Sequence, residues 1–342
     1  MTRAKKRVTI KDVAAQAGVS HQTVSRVINN QASVTQKTRQ RVQQTIEALN
    51  FRPSLAARSL PRRHSYVIGL IIPYEANYLF NDPHLLVQIS SIDEVANAYG
   101  YNLLLSTAGN SNSGLEAYER FIRNQVADGA LVIETATHQA GSKLLAKHGY
   151  PYVTIGYDLN EFQGYFVHCD DRAGAKEATR HLLQKGHRRI GIIDGPPLGA
   201  IGGMHERLMG HQQALSEFGL QFDPTLMVWG DYTRPSGQIA TEKLLALPEP
   251  PTAIFAFNDR MAMGAIHALQ AAGRRVPEEV AVAGFDDIPA AADFSPPLTT
   301  VSQSSDKKGQ LATEMLFKLM NGEPVDCAEV ILPARLIVRQ SS

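Results

Sequence analysis

The 342-residue chain has two cysteines, one tryptophan and no run of 18 apolar residues. Each scarcity excludes something. Without a long apolar run, no membrane-spanning helix is expected. Cys169 and Cys327 stand far apart, with no CxxC or Cys/His cluster. That spacing fits buried thiols in a reducing cytoplasm better than a disulfide framework or a metal site. The N-terminus is basic and lacks an apolar stretch, so no secretory signal is expected. GxSxG, Walker and HExxH motifs are missing too. The adjacent carboxylates Asp170-Asp171 and Asp286-Asp287 do not form a dyad, because neighbours in a strand or turn rarely face one substrate. Gly186-His187 reads as a helix C-cap rather than a general base. No catalytic residue, metal site or cofactor is expected, and the chain does not read as an enzyme.

What is present is divided. Residues 1–64 hold 13 Lys and Arg against 2 Asp and Glu, and the remainder holds 21 against 31. A dense basic segment is a phosphate-binding footprint, and the acidic remainder would be repelled by DNA.

That basic segment contains a helix-turn-helix pattern. Ile10, Val13, Ala14, Val19, Val24, Val27 and Ile28 fit two short amphipathic helices broken at Gly18, where the turn needs a small residue and then an apolar plug. Ser20 suits the N-cap of the second helix, whose polar face carries His21, Gln22, Ser25 and Arg26. Polar side chains early on a second helix are what reading base edges in a major groove requires. Thr35 starts a third helix whose Val42, Ile46 and Leu49 would close the core. Pro53 stops that run, 54–60 is helix-capable, and Pro61-Arg62-Arg63-His64 reads as a linker.

Beyond residue 66, β and α signals alternate. Strands are expected at 67–72, 102–106, 130–133, 152–155, 189–193, 227–229, 253–257 and 280–283. Helices fall near 86–99, 115–126, 141–148, 171–185, 204–218, 237–247, 259–272 and 304–320. Such alternation argues for doubly wound parallel sheets. The strands form two sets of about four, predicting two subdomains with a ligand cleft at the strands' carboxyl ends.

The segments Thr9-Ile10-Lys11-Asp12-Val13-Ala14, Ala17-Gly18-Val19-Ser20, Thr23-Val24-Ser25-Arg26-Val27 and Leu49-Asn50-Phe51-Arg52-Pro53 resemble the headpiece of the lactose-repressor (LacI/GalR) family of bacterial transcription regulators. The likeness runs along nearly the whole chain. It implies a helix-turn-helix headpiece (1–53), a hinge helix and linker (54–64), and a periplasmic-binding-protein-like α/β core (65–342). The N-subdomain would comprise about 65–165 plus 298–324, and the C-subdomain about 166–297 plus 325–342. Three chain crossings are then expected near 163–167, 292–297 and 321–327.

The resemblance makes His21, Gln22 and Arg26 base readers. Gln22 suits adenine and Arg26 suits guanine, with a phosphate contact as the alternative for Arg26. Ser20, Thr23, Ser25, Asn29, Thr35 and Thr38 are candidates for the DNA backbone, some of them equally suited to capping. Ala57 and Leu60 match a hinge helix that enters the minor groove, Leu60 as its wedge, although Pro61 departs from the family's usual alanine. For the effector, the matches are Arg207, Asn258, Asp286 and Gln303, with Tyr232 where relatives carry a stacking aromatic. Tyr74, Tyr78 and Phe80 fit either pocket lining or loop packing. Gly156 stands where one sugar-binding relative has a hydroxyl-binding acid. Asp259 and Asp287 read as helix caps.

The expected protein is a cytoplasmic, homodimeric repressor of carbohydrate-utilisation genes. It would sit on a pseudo-palindromic operator and leave it when a small sugar-like effector fills the cleft. With no heptad pattern at the end of the chain, no coiled-coil tetramer is expected. One alternative is a purine or nucleoside co-repressor system. Another, a solute-binding transport protein, shares the core fold but not the headpiece.

Overall fold

A computed structural model describes residues 8–28, 31, 33–51, 64–108, 114–133, 138–157, 164–196 and 202–342. The chain forms two compact units, residues 1–66 and 67–342. The expectations for Asn29, Ala57, Leu60 and the Tyr74 side chain lie outside the described residues.

In the first unit, α1 (Ile10–Ala17) ends at Gly18, whose φ of 63° is left-handed. A Cβ there would meet nothing within 4 Å, so the backbone angle and not space demands glycine. Ser20 Oγ then accepts the Thr23 N–H at 3.1 Å and starts α2 (His21–Ile28). Helix α3 (Gln36–Ala48) follows Thr35, which takes the N-cap position while its hydroxyl bonds that of Thr38 at 3.0 Å. The helices share one core of Val13, Val24, Val42, Ala17, Val27 and Phe51, with Ile46 and Leu49 packed against it. Each fully buried valine contributes about 1.5–3 kcal/mol, enough to orient three short helices that would not persist alone.

The second unit holds two parallel sheets. The larger contains β1 (Val67–Glu75), β2 (Asn102–Ala108), β3 (Gly129–Ile133), β4 (Tyr152–Ile155), β5 (Phe166–Cys169) and β11 (Glu329–Leu332), in the order β11-β5-β4-β3-β1-β2. The smaller runs β7-β6-β8-β9, from β6 (Ile190–Asp194), β7 (Met227–Trp229), β8 (Ala253–Ala256) and β9 (Ala281–Ala283). Strands β3, β4, β5, β6 and β8 are buried along their full length, as helices on both faces require. The N-lobe helices are α4 (Ala76–Phe80), α5 (Pro83–Ala98), α6 (Leu115–Asn124), α7 (His138–Lys147) and α13 (Ser305–Asn321). The C-lobe carries α8 (Asp171–Gln184), α9 (Gly202–Glu217), α10 (Arg234–Leu245), α11 (Asp259–Ala271) and α12 (Pro289–Asp293). An antiparallel pair, β10 (Thr300–Ser302) with β12 (Arg335–Ile337), completes it.

Three expectations need correction. The larger sheet has six strands rather than about four, because β5 and β11 pair with each other across 160 residues of chain, too remotely for periodicity to reveal. The crossings shift accordingly. Strand β5 hydrogen-bonds β4, so the first crossing follows Cys169 instead of falling at 163–167. Strand β10 pairs with β12 before the chain returns through α13, and β11 pairs with β5, so the others fall at 302–305 and 332–335 rather than 292–297 and 321–327. Finally, Cys169 is buried but Cys327, on the loop before β11, is exposed.

Candidate functional site

On α2, Val24 and Val27 are buried while His21, Gln22 and Arg26 are exposed. At about 100° per residue these three side chains share one side of the helix, so the buried face that fixes α2 also determines what it presents. The hydroxyls of Ser20 and Thr23 bond each other at 2.9 Å, and Ser25 is half-buried.

In the second unit a cavity enclosing about 800 Å³, part of it open to solvent, lies at the carboxyl ends of β3, β4 and β5 and opposite α9 of the other lobe. The strand ends are where open parallel sheets place a ligand site. Arg207, Tyr232, Asn258, Asp286 and Gln303 all line it, brought from five separate segments.

Arg207 is fixed from several sides. A Cβ at Gly210 would collide with the Arg172 carbonyl, so only glycine lets α9 lie against α8 this closely. One turn earlier, Arg207 Nε donates to Asp171 Oδ1 at 2.7 Å and its Nη1 donates to the Phe257 carbonyl. Its guanidinium carbon sits 3.8 Å from the centre of the Phe285 ring. Burial alone would lower its pKa, but Asp171 and Asp286 together hold it above its ordinary value. Asp171 was not expected here. Its neighbour Asp170 caps α8 through Ala173 N–H at 2.9 Å, so the adjacent carboxylates do diverge. Asp171 turns inward instead, its N–H donating to the Tyr157 hydroxyl, which donates in turn to the Cys169 carbonyl at 2.5 Å.

Asp286 follows β9 in a loop whose φ values, 121° at Asp286 and 56° at Asp287, are unusual for residues with a Cβ. Such backbone costs about 1–3 kcal/mol per residue and persists only where the surroundings hold it. Here Asp286 N–H donates to the Val301 carbonyl at 2.8 Å and Arg339 pairs with Asp287 at 2.7 Å. Gln303 Nε2 donates to Asp286 Oδ1 at 2.5 Å, and Arg207 stands 3.9 Å from the same oxygen. Burial pushes the Asp286 carboxyl up to about 7 despite the opposing pull of Arg207.

Asn258 lines the cavity and also serves the fold. Its Oδ1 accepts Met261 N–H at 2.8 Å to cap α11, and its Nδ2 donates to the Tyr232 carbonyl at 3.0 Å, so its amide is committed to the fold. The cap assigned to Asp259 therefore belongs to Asn258. Asp259 instead accepts Ile288 N–H at 2.8 Å and the Thr300 hydroxyl, and burial raises its carboxyl well above the usual range. Asp287 is an ion-pair partner of Arg339 rather than a cap. Tyr78 lines the cavity, Phe80 is exposed, and Gly156 lines it as well.

Sequence reasoning missed the wall supplied by α5 and α13. Asp82 caps α5 through His84 N–H at 3.0 Å and meets Arg260 of the other lobe at 3.4 Å. His84 lies between Gln88 (3.1 Å) and Ser305 (2.9 Å), and Lys308 donates to Gln303 Oε1 at 2.5 Å. The signal for these residues was polar side chains on the apolar stripes of two helices. That pattern becomes meaningful only once the helices are seen to flank a cavity.

Among the described residues no helix is long and apolar enough to cross a membrane, and no group of three His, Cys, Asp or Glu is placed to hold a metal. Residues 9–54 match the family model "Bacterial regulatory proteins, lacI family", and residues 179–342 match "Periplasmic binding protein-like domain". The transcriptional regulator CelR of Thermobifida fusca is 35% identical over 98% of this chain and 99% of its own. A structure of a CelR–cellobiose complex has a TM-score of 0.76 at 33% identity, covering 98% of this chain and all of that one. The lac repressor dimer bound to operator and the anti-inducer ONPF gives 0.87 at 28% identity, over 98% of this chain and 99% of that one. The chain belongs to the lacI family of bacterial regulatory proteins. It is a DNA-binding transcription regulator, not an enzyme.

Proposed function

We propose that the protein is a cytoplasmic repressor that binds a pseudo-palindromic operator as a homodimer and is released by a sugar-like effector. The observation that carries this reading is the cavity, where Arg207, Asp286 and Gln303 converge at the strand ends. Fixed donors and acceptors set in a partly apolar wall suit a polyhydroxylated ligand, whose ring faces are apolar and whose edges are polar. Two comparisons support it: CelR is described with cellobiose, and the lac repressor dimer with operator.

In this reading His21, Gln22 and Arg26 contact bases, Arg26 through guanine O6 and N7. Ser20, Thr23, Ser25, Thr35 and Thr38 contact phosphates, since a hydroxyl engaged in a cap still accepts or donates a further bond. Arg207, Asp286 and Gln303 bind effector hydroxyls, Tyr232 packs on the ring and Tyr74 contributes to the pocket, while Ala57 and Leu60 keep the roles that the resemblance implies. The effector acts by preferring one lobe arrangement, and it weakens operator binding by its differential affinity for the two states.

The test is selection of bound sequences from a randomised duplex library, followed by gel-shift titration with neutral sugars, sugar acids and nucleosides. Inverted repeats released by a sugar or sugar acid are expected. Tightening by a purine or nucleoside would replace the inducer reading with co-repression. Absence of salt-sensitive DNA binding would overturn the proposal.

A further inference from the structure

The ions that line the cavity are not all in contact with a partner. Arg207 faces Asp171 and Asp286, and Asp82 faces Arg260. Lys308 is only 6% exposed, yet its ammonium donates to a single neutral atom, Gln303 Oε1. No carboxylate of the described residues stands within 4.0 Å of it. Around it are neutral groups. Gln88, 3% exposed, leaves its amide oxygen without a partner, and its Nε2 bonds His84. Rotating that amide by 180° gives its oxygen to His84 and leaves an N–H without a partner instead, so one polar atom stays unpaired in either arrangement. Burial keeps His84 neutral, helped by the positive charges of Lys308 and Arg207.

A buried ammonium with no carboxylate in ion-pair contact carries a desolvation cost, and Asp286, whose charge it feels, lies beyond contact distance across Gln303. Asp286 meets Lys308 only through Gln303 and stands 3.9 Å from Arg207. We propose that the effector carries a carboxylate that sits on Lys308 and the open amide of Gln88, making it a sugar acid of the uronic or aldonic class. This rests on the sugar-like effector proposed above. A phosphate does not fit: the site supplies one unspent cation, and Asp82 and Asp286 line the same cavity and repel a second negative charge. Ser305 and His84 complete the seat as neutral hydrogen-bonding groups.

Calorimetry and thermal shift on the full-length protein test this with D-glucuronate, D-galacturonate and D-gluconate against D-glucose and D-galactose, at equal ionic strength and pH 7.5. At least one acid is expected to raise Tm and to bind ten-fold or more tightly than its neutral parent. Lys308→Met should remove that preference while keeping a ligand-free Tm at or above that of the native protein, which shows that it folds. Neutral parents binding as tightly as the acids, none of the three acids binding, or Lys308→Met retaining the preference would each overturn the proposal. So would D-glucose 6-phosphate binding more tightly than every acid. Binding of neutral sugars alone removes the carboxylate and leaves the sugar-responsive reading standing. Binding of nucleosides alone removes both.

Discussion

The exposed face of α2 and the cavity of the second unit place polar side chains in opposite ways. His21, Gln22 and Arg26 stand in solvent on one eight-residue helix, and the buried valines behind them do the structural work. In the cavity the polar groups are buried, drawn from distant segments and bonded to one another: Arg207 to Asp171, Gln303 to Asp286, Lys308 to Gln303. Residues of the first kind are free to change with little effect on folding. Those of the second kind are structural as well, because each unpaired buried group carries a desolvation cost.

The sharpest way to break that contrast is Arg207→Ala. It strands the Asp171 and Asp286 carboxylates in a buried site, and a loss of about 3–5 kcal/mol in urea unfolding is expected, with effector response abolished. A change below about 1 kcal/mol would mean that water reaches the site and the contrast is false.

A smaller effect comes from His211, buried between α8 and α9 at 3.0 Å from Thr179 Oγ1, where burial lowers its pKa from 6.5 to about 3. The unfolded chain binds this proton below pH 6.5 and the native state does not. Its contribution is therefore complete at pH 7 and is lost as the pH falls, by about 2 kcal/mol at pH 5. Asp286, with its raised pKa, works in the opposite direction below pH 7. The measurement is therefore the difference between the native protein and His211→Gln, whose stability should fall less between pH 7 and pH 5. Equal slopes would refute the assignment.

Least disruptive to the fold is Arg26→Ala. Stability should stay within about 0.5 kcal/mol, while base preference at one position of each half-site relaxes by about 1–3 kcal/mol. Uniform weakening across all sequences would instead make Arg26 a phosphate contact.

The headpiece was legible because its rules are local. Gly18 marks a left-handed turn, Ser20 caps the next helix, and apolar spacing separates the inner from the outer face. Eight strands of the second unit could be read for the same reason. Strands β5, β10, β11 and β12 could not: three or four residues long, they are defined by partners far along the chain. The three chain crossings were displaced with them. At the site, Arg207, Asp286 and Gln303 were found where a motif or a strand end carries the signal. That Asn258 also caps a helix was not legible, because an amide after a strand looks the same whether it faces a ligand or caps a helix. Asp171 was hidden behind the unseen β5, and Lys308 behind a run of charge that reads as a solvated face.

The sequence by itself determined most of the elements, the alternation that makes the sheets parallel, the division of charge between a basic headpiece and an acidic core and, by resemblance, the family. All but the family follow from interactions within a few turns of chain or from summed composition. Only the tertiary structure decided which carboxylate holds Arg207, which aspartate has its pKa raised by burial, and that Lys308 is buried with no carboxylate of the described residues in ion-pair contact. Desolvation and pairing depend on what lies within a few ångströms in space, and for Arg207 those neighbours, Asp171 and Asp286, stand 36 and 79 residues away along the chain.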